Sequence, residues 1–377
     1  MITFSFYPDT IMRKAIFALF LLLWMSPTPG CPEGVRSSII ELPQPAFEVE
    51  RRRSKLDRPA RAHRKPYKGP IGDILLHIFP PRDSNFDESR LKGIVKAIRD
   101  SDVELAIFSP TPNDGRRRNY EYLLELRRKL RDLDGKRIKL FCGSDYITFW
   151  LHGAYSYGYI RGELEHVLNR LSKDLDSGAN VGVGEVGLYH FNKTGGQPVI
   201  QFPPNFEPFV RVVDLIAKKG TWLYLHAEPV DPEGKSYEEK VFGGLELLYR
   251  RNSNLKLILS HTAMTNSVNA RSILIKYPNV MMNIKVINVH KNWKYLEPIT
   301  NPRRELYADW AKLFEKMPER FMVGTDAKFF RRGFYASNYK KRIKRFRRIL
   351  GTLNRKTAKL IAYENAQRLF GKNEENQ

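Results

Sequence analysis

A chain of 377 residues, 42% hydrophobic and 12% aromatic, is long enough to bury a substantial core as one large domain or two ordinary ones. Its formal net charge of +23 favours anionic partners, whether phosphorylated or carboxylated small molecules, nucleic acid or an acidic membrane surface. The two cysteines, Cys31 and Cys142, exclude a disulfide framework and a cysteine-rich metal site, so any bound metal must be held by His, Asp and Glu.

Residues 1–31 read as a targeting segment rather than part of the fold. Met12-Arg13-Lys14 precede the apolar run AIFALFLLLWM (15–25), too short to span a bilayer comfortably, and SPTPGC follows. This is the layout of a secretory signal, with translation able to begin at Met12. Cys31 after TPG is similar to a bacterial lipoprotein processing site, although Pro29 breaks the pattern. Lipidation at Cys31, plain cleavage and retention as an anchor all stay open, each implying an exported protein, periplasmic or membrane-anchored. Residues 32–69, including VERRRSKLDRPARAHRKPYKG, are basic, proline-containing and without apolar periodicity. They read as a disordered linker, with attraction to anionic headgroups as the second reading.

Residues 70–377 alternate. Short β-branched or apolar runs occur at GDILLH (72–77), VELAIFSP (103–110), IKLFCGSD (138–145), VGVGEVGL (181–188), TWLYLH (221–226), LKLILSH (255–261), NVMMNIKV (279–286) and FMVGTD (321–326). Helical spacing fills SRLKGIVKAIRD (89–100), YEYLLELRRKLRDL (120–133), GELEHVLNRLSKDL (162–175), PFVRVVDLIAKKG (208–220) and GGLELLYRR (243–251). Eight buried-type strands alternating with helices predict an α/β protein with a (β/α)8 TIM barrel. A doubly wound sheet is disfavoured because no glycine-rich phosphate loop opens the first crossover.

In such a barrel the C-terminal strand ends converge on one pocket, where an acid that would be costly mid-strand becomes a site residue. His77, His226, His261 and Asp326 end the first, fifth, sixth and eighth runs, and Glu185, after the glycine-spaced VGVG of the fourth, is read as standing at that strand's tip. Each alone has an ordinary explanation, a hydrogen-bonded packing histidine or a helix cap. Together they predict a site of carboxylate and imidazole suited to a divalent metal, Zn or Mn.

The succession GEVGL (184–188), LYLHAE (223–228), LILSHT (257–262) and VGTDAKF (323–329), closed by YENAQRLFG (363–371), resembles the amidohydrolase superfamily of metal-dependent hydrolases. The likeness is strongest to its amidohydrolase-related branch, which includes lactonases and decarboxylases; GEVGL is equally similar to TatD-type deoxyribonucleases. The resemblance covers about residues 70–371 and implies metal ligands at His77, Glu185, His226, His261 and Asp326. It implies Asp326 as the base that takes the proton of the attacking water, with His261 beside it in the catalytic set. The chemistry expected is a metal-activated water attacking an amide, lactone or ester of an anionic small-molecule substrate. A phosphodiesterase or a decarboxylase stays open within this class.

The first run departs from the family's HxH: in Asp73-Ile74-Leu75-Leu76-His77, Leu75 takes the first histidine's place and cannot ligate anything. Glu185, His226 and His261 remain as three ligands for one ion, so a mononuclear centre is expected, with a degenerate site as the alternative. His152, Tyr155, His190, Lys285, His290, Lys328 and Arg331 belong to segments on the presumed active face. Of these, His152, His190, Lys328 and Arg331 are the substrate-binding candidates, Lys328 standing only two positions after Asp326.

The run 331–348 holds nine Lys or Arg and no acid, with Phe334, Tyr335, Tyr339 and Phe346 interleaved. It is either a solvated helix anchored by Ile343, Phe346 and Leu350 or a strip for polyanions. Export disfavours nucleic acid and points the strip toward anionic membrane or an envelope polymer. A diverged, non-catalytic barrel that binds such a polymer is the second hypothesis for the whole chain. The sequon Asn192-Lys193-Thr194 matters only in a glycosylating host.

Overall fold

The structure, a computed structural model, describes residues 39–50, 65–79, 88–111, 120–191, 199–285, 295, 297–331 and 334–371. The apolar run 15–25, Cys31, the sequon and His290 lie outside them. Among the described residues no helix is long and apolar enough to cross a membrane.

Eight parallel strands form the frame: β1 (Ile71–Ile78), β2 (Val103–Phe108), β3 (Ile138–Leu140), β4 (Gly182–His190), β5 (Trp222–Ala227), β6 (Lys256–Leu259), β7 (Val280–Ile284) and β8 (Phe321–Val323). Neighbours in sequence pair in parallel from β1 to β3 and from β4 to β8, and β8 pairs with β1. The remaining seam, β3 to β4, is closed just past β3. There Cys142 N donates to Gly182 O (3.0 Å), Gly184 N to Cys142 O (2.9 Å) and Val181 N to Leu140 O (2.8 Å). The ring is therefore complete, a (β/α)8 barrel.

The strands read as continuous apolar runs because both faces are buried. Period two still sorts the residues. Leu105, Ile107, Tyr224, Ile258, Met281 and Met322 fill the interior with Leu75 and Phe141. Their neighbours Ala106, Phe108, Leu223, Leu225, Leu257, Leu259, Val280, Met282, Phe321 and Val323 face outward into the layer beneath the helices.

The helices supply the outer layer: α1 (Glu88–Arg99), α2 (Tyr120–Leu133), α3 (Ser144–Tyr157), α4 (Arg161–Asp176), α5 (Glu207–Lys218), α6 (Glu238–Arg251), α7 (Ser267–Lys276), α8 (Ala308–Lys316) and α9 (Ala336–Leu350). Helix α1 buries Leu91, Ile94, Val95 and Ile98, a stripe at i, i+3, i+4 and i+7. The third run ends as a strand at Leu140, and its tail CGSD turns into α3, which opens at Ser144. The C-terminal helix Asn365–Phe370 closes the end of the barrel where the strands begin: Phe370 lies 5.9 Å from both Phe141 and Trp222, ring centroid to ring centroid. The opposite end is left for chemistry.

The stretch read as a disordered linker needs correction at both of its described ends. Ile39 forms an antiparallel bridge to Phe206, Ile40 N donates to Asn205 O (3.0 Å), Phe47 packs 5.7 Å from Phe242, and Glu50 N donates to Asn269 Oδ1 (3.0 Å). Tyr67 N donates to Arg347 O (2.8 Å). The pairs Ile40/Leu42 and Phe47/Val49 carry a period-two apolar pattern that lays residues 39–50 against the barrel. The arginine-rich run beside them concealed it.

Candidate functional site

The five residues expected as ligands meet at the C-terminal end of the barrel. His77 is the seventh residue of β1, His226 the fifth of β5, His261 stands two residues past β6, and Asp326 three past β8. Glu185 is not at a strand tip, as the sequence suggested. Strand β4 runs on to His190 because Tyr189 and His190 pair with the short antiparallel strand Ile200–Gln201.

What re-aims Glu185 is an irregularity: the register between β4 and β5 shifts between Val183 and Val186. Gly184 sits there at φ 147, and a Cβ on it would lie 2.4 Å from Tyr224 Cβ, so glycine alone fits. The backbone of Glu185 is then clamped. Its N–H donates to Ser109 Oγ, past the end of β2, and its carbonyl accepts from Ser144 Oγ (2.5 Å) at the start of α3.

The Glu185 carboxylate is the hub. It lies 3.1 Å from His226 Nδ1, 3.6 Å from His77 Nε2 and 3.6 Å from His261 Nε2, and it accepts from the Ser260 hydroxyl. Burial pushes its pKa up, but hydrogen bonds from His226 and His77 overcome this and hold it well below the usual carboxylate range. His77 Nδ1 faces Ser109 O at 3.0 Å, and a carbonyl only accepts, so the proton is on Nδ1. Nε2 is thereby turned toward Glu185 and toward Asp326 Oδ1 (3.2 Å). Burial lowers the pKa of His77, and the hydrogen bonds to Asp326 and Glu185 raise it beyond that loss. His226 stands between two carboxylates, Glu185 on Nδ1 and Glu228 on Nε2 (2.8 Å). Burial lowers its pKa too, and both carboxylates reverse the shift. His261 is different: burial, then the Lys285 ammonium 3.4 Å from Nε2, push it well below the ordinary range, so the ring is neutral.

Asp326 is buried against two ammonium groups, Lys285 Nζ at 2.5 Å and Lys328 Nζ at 3.2 Å from Oδ2. Burial raises its pKa, but Lys285 and then Lys328 hold it well below the carboxylate range.

The loops carrying these groups are held by residues that periodicity did not single out. His261, Thr262, Ala263 and Met264 form a left-handed turn with φ of 56, 57, 57 and 50, a conformation costing roughly 1–2 kcal/mol per L-residue. The fully buried Asn283 of β7 supports its entry, accepting from His261 N (2.7 Å) and donating to Gly324 O (3.1 Å) ahead of Asp326. Asn283→Ala leaves two buried backbone groups without partners and is expected to lower stability by about 2–3 kcal/mol, read as a fall in the urea midpoint at unchanged m. An unchanged midpoint would show that the turn holds itself. Arg342 of α9 donates to the carbonyls of Thr325 and Asp326, both at 2.8 Å. Arg347 binds the carbonyls of Gly69 (2.7 Å) and Ser101 (2.8 Å). Two cations of the expected polyanion strip thus face inward, where they fix loops.

Glu228, fully buried, was also missed, although His226 and Glu228 are two apart, a spacing that puts both on one face of a strand. It accepts from Phe191 N (2.8 Å) as well as facing His226.

Of the substrate-binding candidates, Lys328 lies on Asp326, and His190 has its ring 5.5 Å from that of His226. The Arg331 guanidinium lies 5.2 Å from the centroid of Phe79, just past β1. His152, on α3, has Nδ1 at 3.1 Å from Gln201 O and 3.2 Å from Gln201 N, against the backbone of the short strand. Tyr155 packs on Phe206.

Three sets of donor atoms lie within 4.8 Å of one another among the described residues: Glu185/His226/His261, His77/Glu185/Asp326 and His190/His226/Glu228. Among the residues of the first two sets, His261 Nδ1 is buried with no hydrogen-bond partner, and Asp326 Oδ1 has only the His77 ring at 3.2 Å. A buried unsatisfied polar atom in a cluster of carboxylate and imidazole fits a divalent cation of borderline softness.

No protein-family model matches the chain, and no curated protein matches it. Solved structures do. A protein from Lactobacillus casei ATCC 334 described as a metal-dependent hydrolase is similar at a TM-score of 0.50 and 12% identity, over 81% of this chain and 97% of its own. An uncharacterized TIM-barrel protein from Bordetella bronchiseptica gives 0.49 and 11%, over 79% and 98%. A TatD homolog from Escherichia coli K12 gives 0.48 and 16%, over 80% and 98%. At these identities the likeness to the first structure shows the fold, in agreement with the closed ring of strands.

Proposed function

We propose that the chain is a metal-dependent hydrolase of the amidohydrolase type, holding one divalent ion, zinc or manganese, and cleaving an amide, lactone or ester of an anionic substrate. The observation that carries this reading is the convergence of His77, Glu185, His226, His261 and Asp326 from five strands on one buried cluster. The metal-dependent hydrolase among the proteins of this fold supports the same reaction class.

Glu185, His226 and His261 would hold the ion, leaving a coordination position for water or substrate. Bound there, it supplies a water of lowered pKa and polarises the substrate's carbonyl oxygen. The residues do the rest. His261 is held toward its neutral form, in which one ring nitrogen keeps a lone pair to offer to an ion. Asp326 is ionised; Oδ2 is taken by Lys285 and Lys328, while Oδ1 faces only the His77 ring among the described contacts and is the oxygen better placed to accept a proton. Lys328 is 33% exposed and Arg331 is partly exposed, so both can turn toward a carboxylate on an incoming substrate. When Lys328 does so, Asp326 loses one of the two cations that depress it and becomes the stronger base.

The test is hydrolysis of a panel of carboxylate-bearing lactones, amides and esters, with phosphodiesters included, by the purified protein stripped of ions and reloaded with Zn²⁺ or Mn²⁺. Turnover that appears on loading and vanishes on chelation supports the proposal. Binding of the ion without turnover of any member would overturn the hydrolase reading, and turnover confined to phosphodiesters would move it to the nuclease class.

A further inference from the structure

Two candidate cation positions share Glu185, one completed by His226 and His261 and the other by His77 and Asp326. They do not stand in the same surroundings. The second already has a cation on it: Lys285, the residue immediately after β7, places Nζ 2.5 Å from Asp326 Oδ2. The same Nζ lies 3.4 Å from His261 Nε2, so it stands between the two positions, whereas the ion pair of Lys328 among the described residues is with Asp326. Lys285 is also the more enclosed of the two lysines, with 22% of its side chain exposed against 33%. On β1, Leu75 lies in the apolar interior two residues below His77 and offers no donor.

We infer that the Lys285 ammonium is a built-in replacement for a second divalent ion. It neutralises Asp326, keeps that carboxylate aimed at the pocket and repels any ion from the His77/Asp326 position. The argument is one of charge. Glu185, Glu228 and Asp326 bring three negative charges, and Lys285 and Lys328 return two positive ones. Counting the carboxylates and lysines alone, one divalent ion leaves the cluster at a net single positive charge and two would leave it at three in a site of low dielectric, and any proton on His77 or His226 only adds to this. Leu75 and Lys285 are then two halves of one change: the first removes a donor, and the second supplies the charge that the donor would have helped to hold. This rests on the metal-dependent reading of the site.

The experiment is ion content per chain after equilibrium dialysis against Zn²⁺, read by elemental analysis and paired with circular dichroism to confirm folding. The proteins are wild type, Leu75→His, Lys328→Met, Leu75→His/Lys285→Met and Leu75→His/Lys285→Gln. One ion is expected in the first three, and two in either double variant, the glutamine version guarding against misfolding around methionine. Two ions in Leu75→His alone would show that Lys285 is no barrier and overturn the inference. A folded double variant that stays at one ion would overturn it as well. No ion in any of the five proteins would remove the metal-dependent reading itself, an outcome distinct from both.

Discussion

Alanine at both His226 and His261 is expected to abolish bound divalent ion and to lower turnover by ~10³-fold or more, about 4 kcal/mol of transition-state stabilisation. The two rings sit 5.1 Å apart, edge to face, and both have a nitrogen within 3.6 Å of the Glu185 carboxylate. Removing them leaves Glu185 as the single donor of its triad, and in the remaining His77/Glu185/Asp326 set the Lys285 ammonium already sits on Asp326, so neither position keeps three open donors for zinc or manganese. The barrel itself should survive. Glu185 keeps its contacts with Ser260 and His77 and its backbone clamps to Ser109 and Ser144, none of which involves either histidine. The comparison that gives the result meaning is His152→Ala, whose ring faces the Gln201 backbone outside the three donor sets; it should retain the ion. Ion content unchanged in the double variant, measured by elemental analysis with the far-ultraviolet spectrum preserved, would sink the assignment of the triad.

That these residues share one end of the barrel is legible in the sequence because a parallel barrel strand is apolar along its whole length, so any ionisable group at its end stands out. The runs 72–77, 221–226 and 255–261 announced His77, His226 and His261 in this way. The same logic misjudged Glu185, since the continuation of β4 depends on pairing with Ile200–Gln201, a contact that no local pattern displays. It also could not find the supports. Asn283 acts on His261, 22 positions away, and Arg342 on the carbonyls of Thr325 and Asp326, 17 and 16 positions away. A buried asparagine in an apolar run and an arginine in a basic run look like exceptions or surface until the fold brings their partners up. The charge of the run 331–348 was read as solvated or polyanion-binding, yet part of it is spent on backbone carbonyls.

Asp73 is the clearest case of a residue with no sequence signal of its own, and replacing it should produce a large stability effect with a pH signature. It is fully buried on β1 and accepts from Thr325 N (2.8 Å) and Leu75 N (3.4 Å) on Oδ1, and from Thr325 Oγ1 (2.6 Å) and Tyr339 OH (3.1 Å) on Oδ2. One carboxylate thus ties β1 to the segment before Asp326 and to α9. Asp73→Ala strands these donors in a dry interior and is expected to cost roughly 3 kcal/mol or more. Asp73→Asn keeps the shape and isolates the charge. Burial pushes the Asp73 pKa up to about 6, against the lowering effect of Thr325, Leu75 and Tyr339. The raised folded-state value means that the native protein holds this proton more tightly than the unfolded chain does. Between the unfolded pKa near 3.8 and the folded value near 6, the native state therefore binds more protons, and the contribution of Asp73 to stability falls as pH rises through that window. From pH 4.5 to 7.5 the loss comes to about 2 kcal/mol. Urea unfolding of wild type and Asp73→Asn at both pH values measures it as a difference, because other titrating groups cancel between the two proteins. The stability advantage of wild type over the variant should shrink by about 2 kcal/mol on going from pH 4.5 to 7.5. An advantage that is constant, or that grows with pH, would mean that Asp73 is held as a carboxylate throughout and that its four donors outweigh the cost of its burial.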